Sequence, residues 1–443
     1  MTHHTETLLQ EKGADAATFG FAPRTLPDLV KYQAQHNPLR YALLAEEGDL
    51  TFAQLEERSN RLAQALAERG ISHGDRIALQ GEKSLMFVLL QLAILKLGAA
   101  FIPLAAGVPA ARREKIFKDA EPAALLIADA CVVAGAAQTA RAQWSWSELA
   151  QRASQLPAQD PARPLTGGDI AWVLYTSGST GTPKGVIGTH EASLQRCEAM
   201  AALQPVSTGE VIAHLMPDTA IDAIWEIWAP LGFGLPVVLI DAQRYPDLKQ
   251  LVALLAQRQV TQICMVPSWL KLLLNSGINL AESLPLLRLW ISTGESASSA
   301  LAALFFQRLP QAKLLNQYGL TETLATATCF TMTQAPCSQK AIAIGKAISH
   351  IATWVLDDDF RPCAVNEVGQ LGIGGSALAL GYLSSPALTA ERFRPNPFVT
   401  DGSRLYLSGD LASLDTHGDL HYHGRHDRRI NMLGHRVELG EIE

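Results

Sequence analysis

The stretch VLYTSGSTGTPKGVIGTH, residues 173–190, is where the reading of the chain turns. Small residues let backbone N–H groups approach phosphate oxygens, hydroxyls add donors, and one lysine adds charge. Ser177, Gly178, Ser179, Thr180, Gly181, Thr182 and Lys184 meet that description. A nucleotide-binding P-loop needs GxxxxGK[ST], so that a helix N-terminus and a metal-binding hydroxyl directly follow the lysine. Here Pro183 precedes Lys184, Gly185 follows it, and GVIGTH reads as a strand. A helix starting at the lysine is therefore not expected. A flexible Gly/Ser linker would lack the strand-type flanks IAWVLY and GVIGTH.

Outward from the loop, helical and strand patterns alternate. LTFAQLEERSNRLAQALAERG sets Leu55, Leu62, Ala63 and Leu66 at helical spacing, with Gly70 ending the helix and DRIALQG following as a strand. LMFVLLQLAILKLGAAFIPL is interrupted by Lys96, Gly98 and Pro103, so it reads as a buried helix running into a strand, not as a membrane span of ~18 apolar residues. AALLIAD, LPVVLID, VTQICMVPSW and LRLWISTG continue the alternation, which implies parallel sheets covered on both faces. Beyond about residue 335, ATWVLDDDF, VGQLGIGG and RLYLSGDLASLDTHGDLHYHG bring short strands and dense turns, the pattern of a small antiparallel β-barrel. The expected α/β organisation is a leader at 1–24, two parallel-sheet α/β subdomains over 25–335, a β-barrel subdomain over 336–426 and a further segment over 427–443.

Composition narrows the function classes. The 443 residues exceed a typical single domain, and 48% hydrophobic with 18% charged residues is globular. A net charge of −7 argues against nucleic acid as a partner. The six cysteines, Cys131, Cys197, Cys264, Cys329, Cys337 and Cys363, form no CxxC pair, which suits a reducing compartment. The polar N-terminus lacks the apolar core of a signal peptide. The expectation is a cytoplasmic, monomeric protein with no membrane partner.

The loop and several other strings resemble the adenylate-forming enzymes, and among them the adenylation domains of nonribosomal peptide synthetases. LTFAQLEERSNRLA (50–63), LKLGAAFIPL (95–104), YTSGSTGTPKGV, NQYGLTET (316–323), GQLGIGGSALALGYLSSPALTAERF (369–393), YLSGDLA (406–412) and GRHDRRINMLGHRVELGEIE (424–443) follow the family's order across nearly the whole chain. Departures are Leu320 for a proline, Ser408 for a threonine, Arg429 for a glutamine and Asn431 for a lysine.

That resemblance implies attack of a carboxylate on the α-phosphate of ATP, releasing pyrophosphate and leaving an acyl-adenylate, with catalysis by positioning and charge neutralisation. It implies Thr176 to Lys184 on the outer phosphates, Thr321 at the α-phosphate, and Glu322 on Mg²⁺. Lys184, Thr321 and Glu322 are thereby the catalytic candidates. It sets Gly294, Glu295 and Ser296 along the adenine, Asn316 at its exocyclic amine and Tyr318 stacked on it, with Gln317 and Gly319 between and beyond them. Asp410 would hold the ribose, assisted by Arg425, and Asp427 would be a hinge. Past that hinge the family's C-terminal subdomain supplies a charge-neutralising lysine and then a carrier protein with a phosphopantetheine arm. With the chain stopping at Glu443, adenylation is expected to be weakened and thioester formation lost.

The acid is read through IDAIWEIW (221–228), where Trp225–Glu226 matches the family's pocket helix. The position that usually carries an amine-binding aspartate holds Ile221, and the carboxylate stands one place later at Asp222. The implied acid pocket is Ile221, Asp222, Trp225, Cys264, Ile291, Thr293, Gln317, Ala325 and Thr326. An ammonium without a counter-charge is costly in a buried site. A carboxylate displaced by one residue suits an amine displaced by one carbon, as in β-alanine or 3-aminobutyrate, with Trp225 shortening the pocket. If Asp218, one turn earlier, faced the pocket instead, this register would fail. An α-amino acid, an amine-free aryl or hydroxy acid, an acyl-CoA synthetase and a non-catalytic nucleotide-binding protein stay open as alternatives. His421, His423, His426 and Asp427 resemble a metal cluster but overlap the hinge motif. His190 is read as structural support for the loop.

Overall fold

The computed structural model describes residues 19–132, 140–177, 182–203, 207, 209–336, 341–425, 429–432 and 435–438. Gly178, Ser179, Thr180, Gly181, His426 and Asp427, named above for the loop, the metal cluster and the hinge, lie outside them.

The helix read from periodicity forms over Phe52–Glu68, with the Thr51 hydroxyl accepting from the Gln54 N–H as its cap. Leu55, Leu62, Ala63 and Leu66 are all buried. Its neighbour Leu85–Lys96 is apolar all round and buried along nearly its whole length, as a helix between sheet and helix layers must be. Strand Ala100–Ala105 follows it directly.

Two α/β sheets result. One is seven-stranded, with Ala124–Ile127, Arg76–Gly81, Ala100–Ala105 and Ile170–Thr176 side by side near its centre, the neighbours running parallel. The other is nine-stranded. Its parallel run carries Lys313–Leu320, Leu289–Ser292, Gln262–Met265, Ile212–His214, Val237–Leu239 and Tyr41–Ala45. Both sheets finish in antiparallel edges: Lys184–Thr189 on Ile170–Thr176 in the first, and Ala325–Met332 on Lys313–Leu320 in the second.

The third unit corrects the expected barrel. Among the described residues it is an open antiparallel sheet of Ile351–Leu356, Gly369–Gly375, Arg404–Leu414, Phe393–Pro395 and Leu420–Arg425. The reason lies in which edges pair. Arg404–Leu414 is eleven residues long, and its second edge is divided between the short strands Phe393–Pro395 and Leu420–Arg425. The same segment also sends an edge strand into each α/β sheet: Lys346–Ala347 pairs with Ala325–Met332, and Gly381–Tyr382 with Lys184–Thr189. The packed chain begins before the leader boundary at residue 24, since Phe19 sits against Phe233 and Phe21 stacks on Tyr32.

Lys96 is a charge that this core holds between helices. Its ammonium is 4% exposed and 2.8 Å from Glu56, with Asn60 as second partner. Removing one member of such a pair strands the other charge, whereas replacing the cation by an apolar side chain does not. Glu56→Ala is expected to lower the unfolding free energy by about 3 kcal/mol, and Lys96→Met by less than half of that, in urea titrations at neutral pH.

Candidate functional site

Parallel strands end on one side of a sheet, and the two α/β sheets turn those ends toward a common cleft of ≈ 970 Å³. Leu104, Ala105, Tyr175, Thr176 and Ser177 line it from the seven-stranded sheet. Met216, Thr293 to Ala297 and Asn316 to Thr321 line it from the nine-stranded one, and Asp410, Tyr422 and Arg425 from the antiparallel unit.

Lys184 opens strand Lys184–Thr189 and stands opposite Thr176 in the hairpin. This strand is why the lysine precedes a glycine and not a helix-starting hydroxyl. Lys184 and the exposed Thr182 flank the cleft without lining it. The Thr176 hydroxyl oxygen is buried and has no hydrogen-bond partner among the described residues, so it can donate to a phosphate oxygen.

The far wall is a polar lattice. Asp410 is 2% exposed, and its two carboxylate oxygens accept from the Tyr318 hydroxyl and from Arg425 Nη1. Burial and the Asp410 charge hold the Tyr318 hydroxyl protonated, well above its ordinary range. Asn316 Nδ2 donates to the Ala343 carbonyl at 2.8 Å, which directs its carboxamide oxygen elsewhere. Glu295 spends both carboxylate oxygens on Ser268, at the start of helix Pro267–Leu274. Gly294, at φ +80° beside it, takes a backbone turn that few L-residues adopt.

Thr321 lines the cleft and Glu322 turns behind it, 2% exposed, with Oε1 accepting from the Tyr382 hydroxyl at 2.8 Å. A carboxylate is a suitable donor for a hard cation. Among the described residues no group of three or more His, Cys, Asp or Glu could hold a metal. His421 and His423 instead bond Asp415 and Ser413.

The acid pocket is only partly the expected set. Ile221, Asp222, Thr293, Gln317 and Ala325 line the cleft. Trp225 and Ile291 do not; they face a separate void of ≈ 40 Å³ with Met200 and Phe233. Cys264 and Thr326 are buried and line neither cavity. Trp225 reaches Asp222, its indole N–H donating to Oδ1 at 3.2 Å. Thr326 acts through Gln317, donating to Oε1 at 2.8 Å. Asp218 points away from the cleft, bonded to His214 Nε2 at 3.1 Å, whose other nitrogen meets Glu226 at 2.6 Å. Asp222 therefore supplies the carboxylate at this end of the cleft, and burial pushes it up to about 6.

Pattern reading missed Lys83, His214, Tyr382 and Arg196. Lys83 donates to the carbonyls of His214 and Met216, propping the turn that leads into helix Asp222–Gly232. The signal for Arg196 was present: it is a lone cation within LQRCEAM, on a helix whose face is buried. His190 is fully buried, accepting the Leu26 N–H at Nδ1, and burial lowers it to about 4.

The family profile described as AMP-binding enzyme matches residues 30–383. Phosphinothricin tripeptide synthetase PhsB of Streptomyces viridochromogenes is 34% identical over 441 residues, 97% of this chain and 36% of that protein. Tyrocidine synthase 1 of Brevibacillus parabrevis is 31% identical over 427 residues, 95% of this chain and 38% of that protein. The chain thus spans little more than a third of these curated relatives. Among solved structures, the Klebsiella oxytoca NpsA N-terminal subdomain in complex with 3-hydroxybenzoyl-AMSN superposes with a TM-score of 0.82 at 25% identity, covering 91% of this chain and 100% of that one. The artificially fused adenylation–PCP di-domain NpsA-ThdA from the same organism gives 0.86 at 26% identity, covering 96% and 83%.

Asp222 makes the cleft an unstable place to store charge. Its folded carboxyl, at about 6, lies above the unfolded value, so its contribution to stability is complete below pH ~4 and is lost as pH rises through 6. Asp222→Asn is expected to raise the unfolding free energy at pH 8 by up to about 3 kcal/mol, with the gap closing toward pH ~4. A gap independent of pH in urea titrations would mean that the carboxyl titrates normally.

Proposed function

The chain belongs to the AMP-binding enzymes, and from that membership we propose that it activates a small β-amino acid, of the β-alanine or 3-aminobutyrate type, as an acyl-adenylate for a carrier protein. The acid's carboxylate attacks the α-phosphate of ATP, the bond to the β-phosphate breaks, and pyrophosphate leaves with that electron pair.

The observation that carries the substrate class is Asp222, a carboxylate lining the cleft and 7% exposed, while the preceding position is the apolar Ile221. An ammonium brought against it would ionise it, exchanging a disfavoured lone charge for a pair. The cleft volume of ≈ 970 Å³ is ample for a nucleotide with a short acid, at the upper end of small-molecule sites.

The nucleotide roles are part of the same proposal. Thr176, Ser177 and the loop to Lys184 would bind the outer phosphates, and Thr321 the α-phosphate. Asn316, Tyr318 and the Gly294–Ser296 backbone would bind the base, and Asp410 with Arg425 the ribose. Mg²⁺ would be held by Glu322, with phosphate oxygens and water completing its shell. Bound there, it neutralises phosphate charge. Positioning rests on the chain's own groups: Trp225 orients Asp222, Tyr382 orients Glu322, and Tyr318 with Arg425 orients Asp410.

An amine-free aryl acid is the second reading, favoured by the 3-hydroxybenzoyl analogue in the NpsA structure. Calorimetry with β-alanyl-, 3-aminobutyryl-, L-alanyl- and benzoyl-sulfamoyl-adenosine separates the two. The β-amino analogues are expected to bind at least ten-fold more tightly than the others at pH 7.5, and Asp222→Ala to remove that preference. Because Asp222 takes up a proton near 6, their affinity should fall about ten-fold per pH unit below that value, while benzoyl binding holds steady. Tightest binding of the benzoyl analogue, unaffected by Asp222→Ala, would replace the β-amino reading with the aryl one. Binding of none would remove the adenylation reading itself.

A further inference from the structure

Arg196 is a buried cation that none of the roles above uses. It lies on helix His190–Leu203 and is 1% exposed. Its Nε donates to the Leu324 carbonyl at 2.6 Å and its Nη2 to the Thr323 carbonyl at 2.8 Å. Those carbonyls belong to the corner joining strand Lys313–Leu320 to strand Ala325–Met332. The corner is strained: Leu324 and Ala325 stand at φ +54° and +74°, a region disfavoured for residues with a Cβ. It is also tight, since a Cβ on Gly319 would come 1.5 Å from the Ala325 carbonyl oxygen.

The corner serves both ends of the cleft. Thr321 and Glu322 precede it, and Ala325 closes the acid pocket. On its other side, helix His190–Leu203 packs against helix Asp222–Gly232, which brings the Arg196 charge within reach of Asp222. The groups acting on that carboxylate are Glu226 on its own helix, which disfavours ionisation, and Trp225 and Arg196, which favour it. The Cys264 thiol, from strand Gln262–Met265, lies within range and is kept protonated by burial. Burial pulls Arg196 itself down to about 9, which leaves it cationic at neutral pH. Its third nitrogen, Nη1, is buried without an acceptor among the described residues. Filling space alone would be better served by an apolar side chain, because a buried cation with an unmet donor is costly.

We propose that Arg196 is a positioning residue for both halves of the reaction: its guanidinium fork holds the Thr321–Ala325 corner for the nucleotide, and its charge keeps Asp222 ionised for the substrate ammonium. The second half rests on the β-amino acid reading; the first does not.

Wild type, Arg196→Met and Arg196→Lys, each checked by thermal unfolding, are titrated calorimetrically with AMP plus Mg²⁺. They are also titrated with β-alanyl- and benzoyl-sulfamoyl-adenosine between about pH 5 and 8. Arg196→Met is expected to bind AMP about ten-fold more weakly. The pH midpoint of its β-alanyl-to-benzoyl affinity ratio should rise by about one unit. Arg196→Lys should return the midpoint but not the AMP affinity, because one ammonium does not reproduce a planar fork across two carbonyls. Should Arg196→Met fail to fold, the lysine variant decides: weakened AMP binding with an unmoved midpoint supports the proposal, and unchanged AMP binding overturns it. Wild-type AMP affinity and midpoint in both variants overturn it as well. A ratio that is flat with pH in the wild type tells against the β-amino acid reading and the Asp222 half, while the AMP titration still decides the corner.

Discussion

Parallel strands deliver all their carboxyl ends to one rim, and two such rims facing each other are what make a site in this chain. Ala105, Thr176, Met216, Thr293 and Leu320 each stand at or just beyond the end of a strand, and all line one cleft. Backbone donors and short side chains therefore converge there without any single segment having to contain the site, which is how open α/β sheets place ligands. The antiparallel unit adds the remaining wall, pinned by the strands it lends to both sheets.

Convergence brings a concentration of buried charge. Asp222, Glu226, Glu322 and Asp410 lie at or behind the cleft, all below a tenth exposed, and each has a side-chain partner. Trp225 serves Asp222, His214 serves Glu226, Tyr382 serves Glu322, and Tyr318 with Arg425 serves Asp410. Such donors fix the direction of each carboxylate, and direction is most of what a positioning catalyst supplies. Asp222 differs in that burial and Glu226 outweigh the indole of Trp225 and the charge of Arg196, so it is left at about 6.

Expectation and structure part where contacts are distant in sequence. Trp225 was expected to shorten the acid pocket directly, yet it faces a separate void and reaches the cleft only through its bond to Asp222. A helical register tells which residues share a face, not which of two cavities that face adjoins. The barrel expected from short strands and dense turns is an open sheet, because closure depends on which edges pair, and strand length alone does not determine that.

The sequence by itself determined the strand flanks of the phosphate loop, the alternation that builds two parallel sheets, and the one-place displacement of the pocket carboxylate from Ile221 to Asp222. All three are local properties: side-chain period, turn chemistry and position within a short motif. Only the tertiary structure decided that Asp218 turns to His214 and leaves Asp222 in the cleft, that Tyr382 reaches Glu322 from 60 residues away, and that Arg196 holds a carbonyl 128 residues distant. Those contacts arise from how sheets and helices pack, and side-chain periodicity carries no record of the partner across a packed interface.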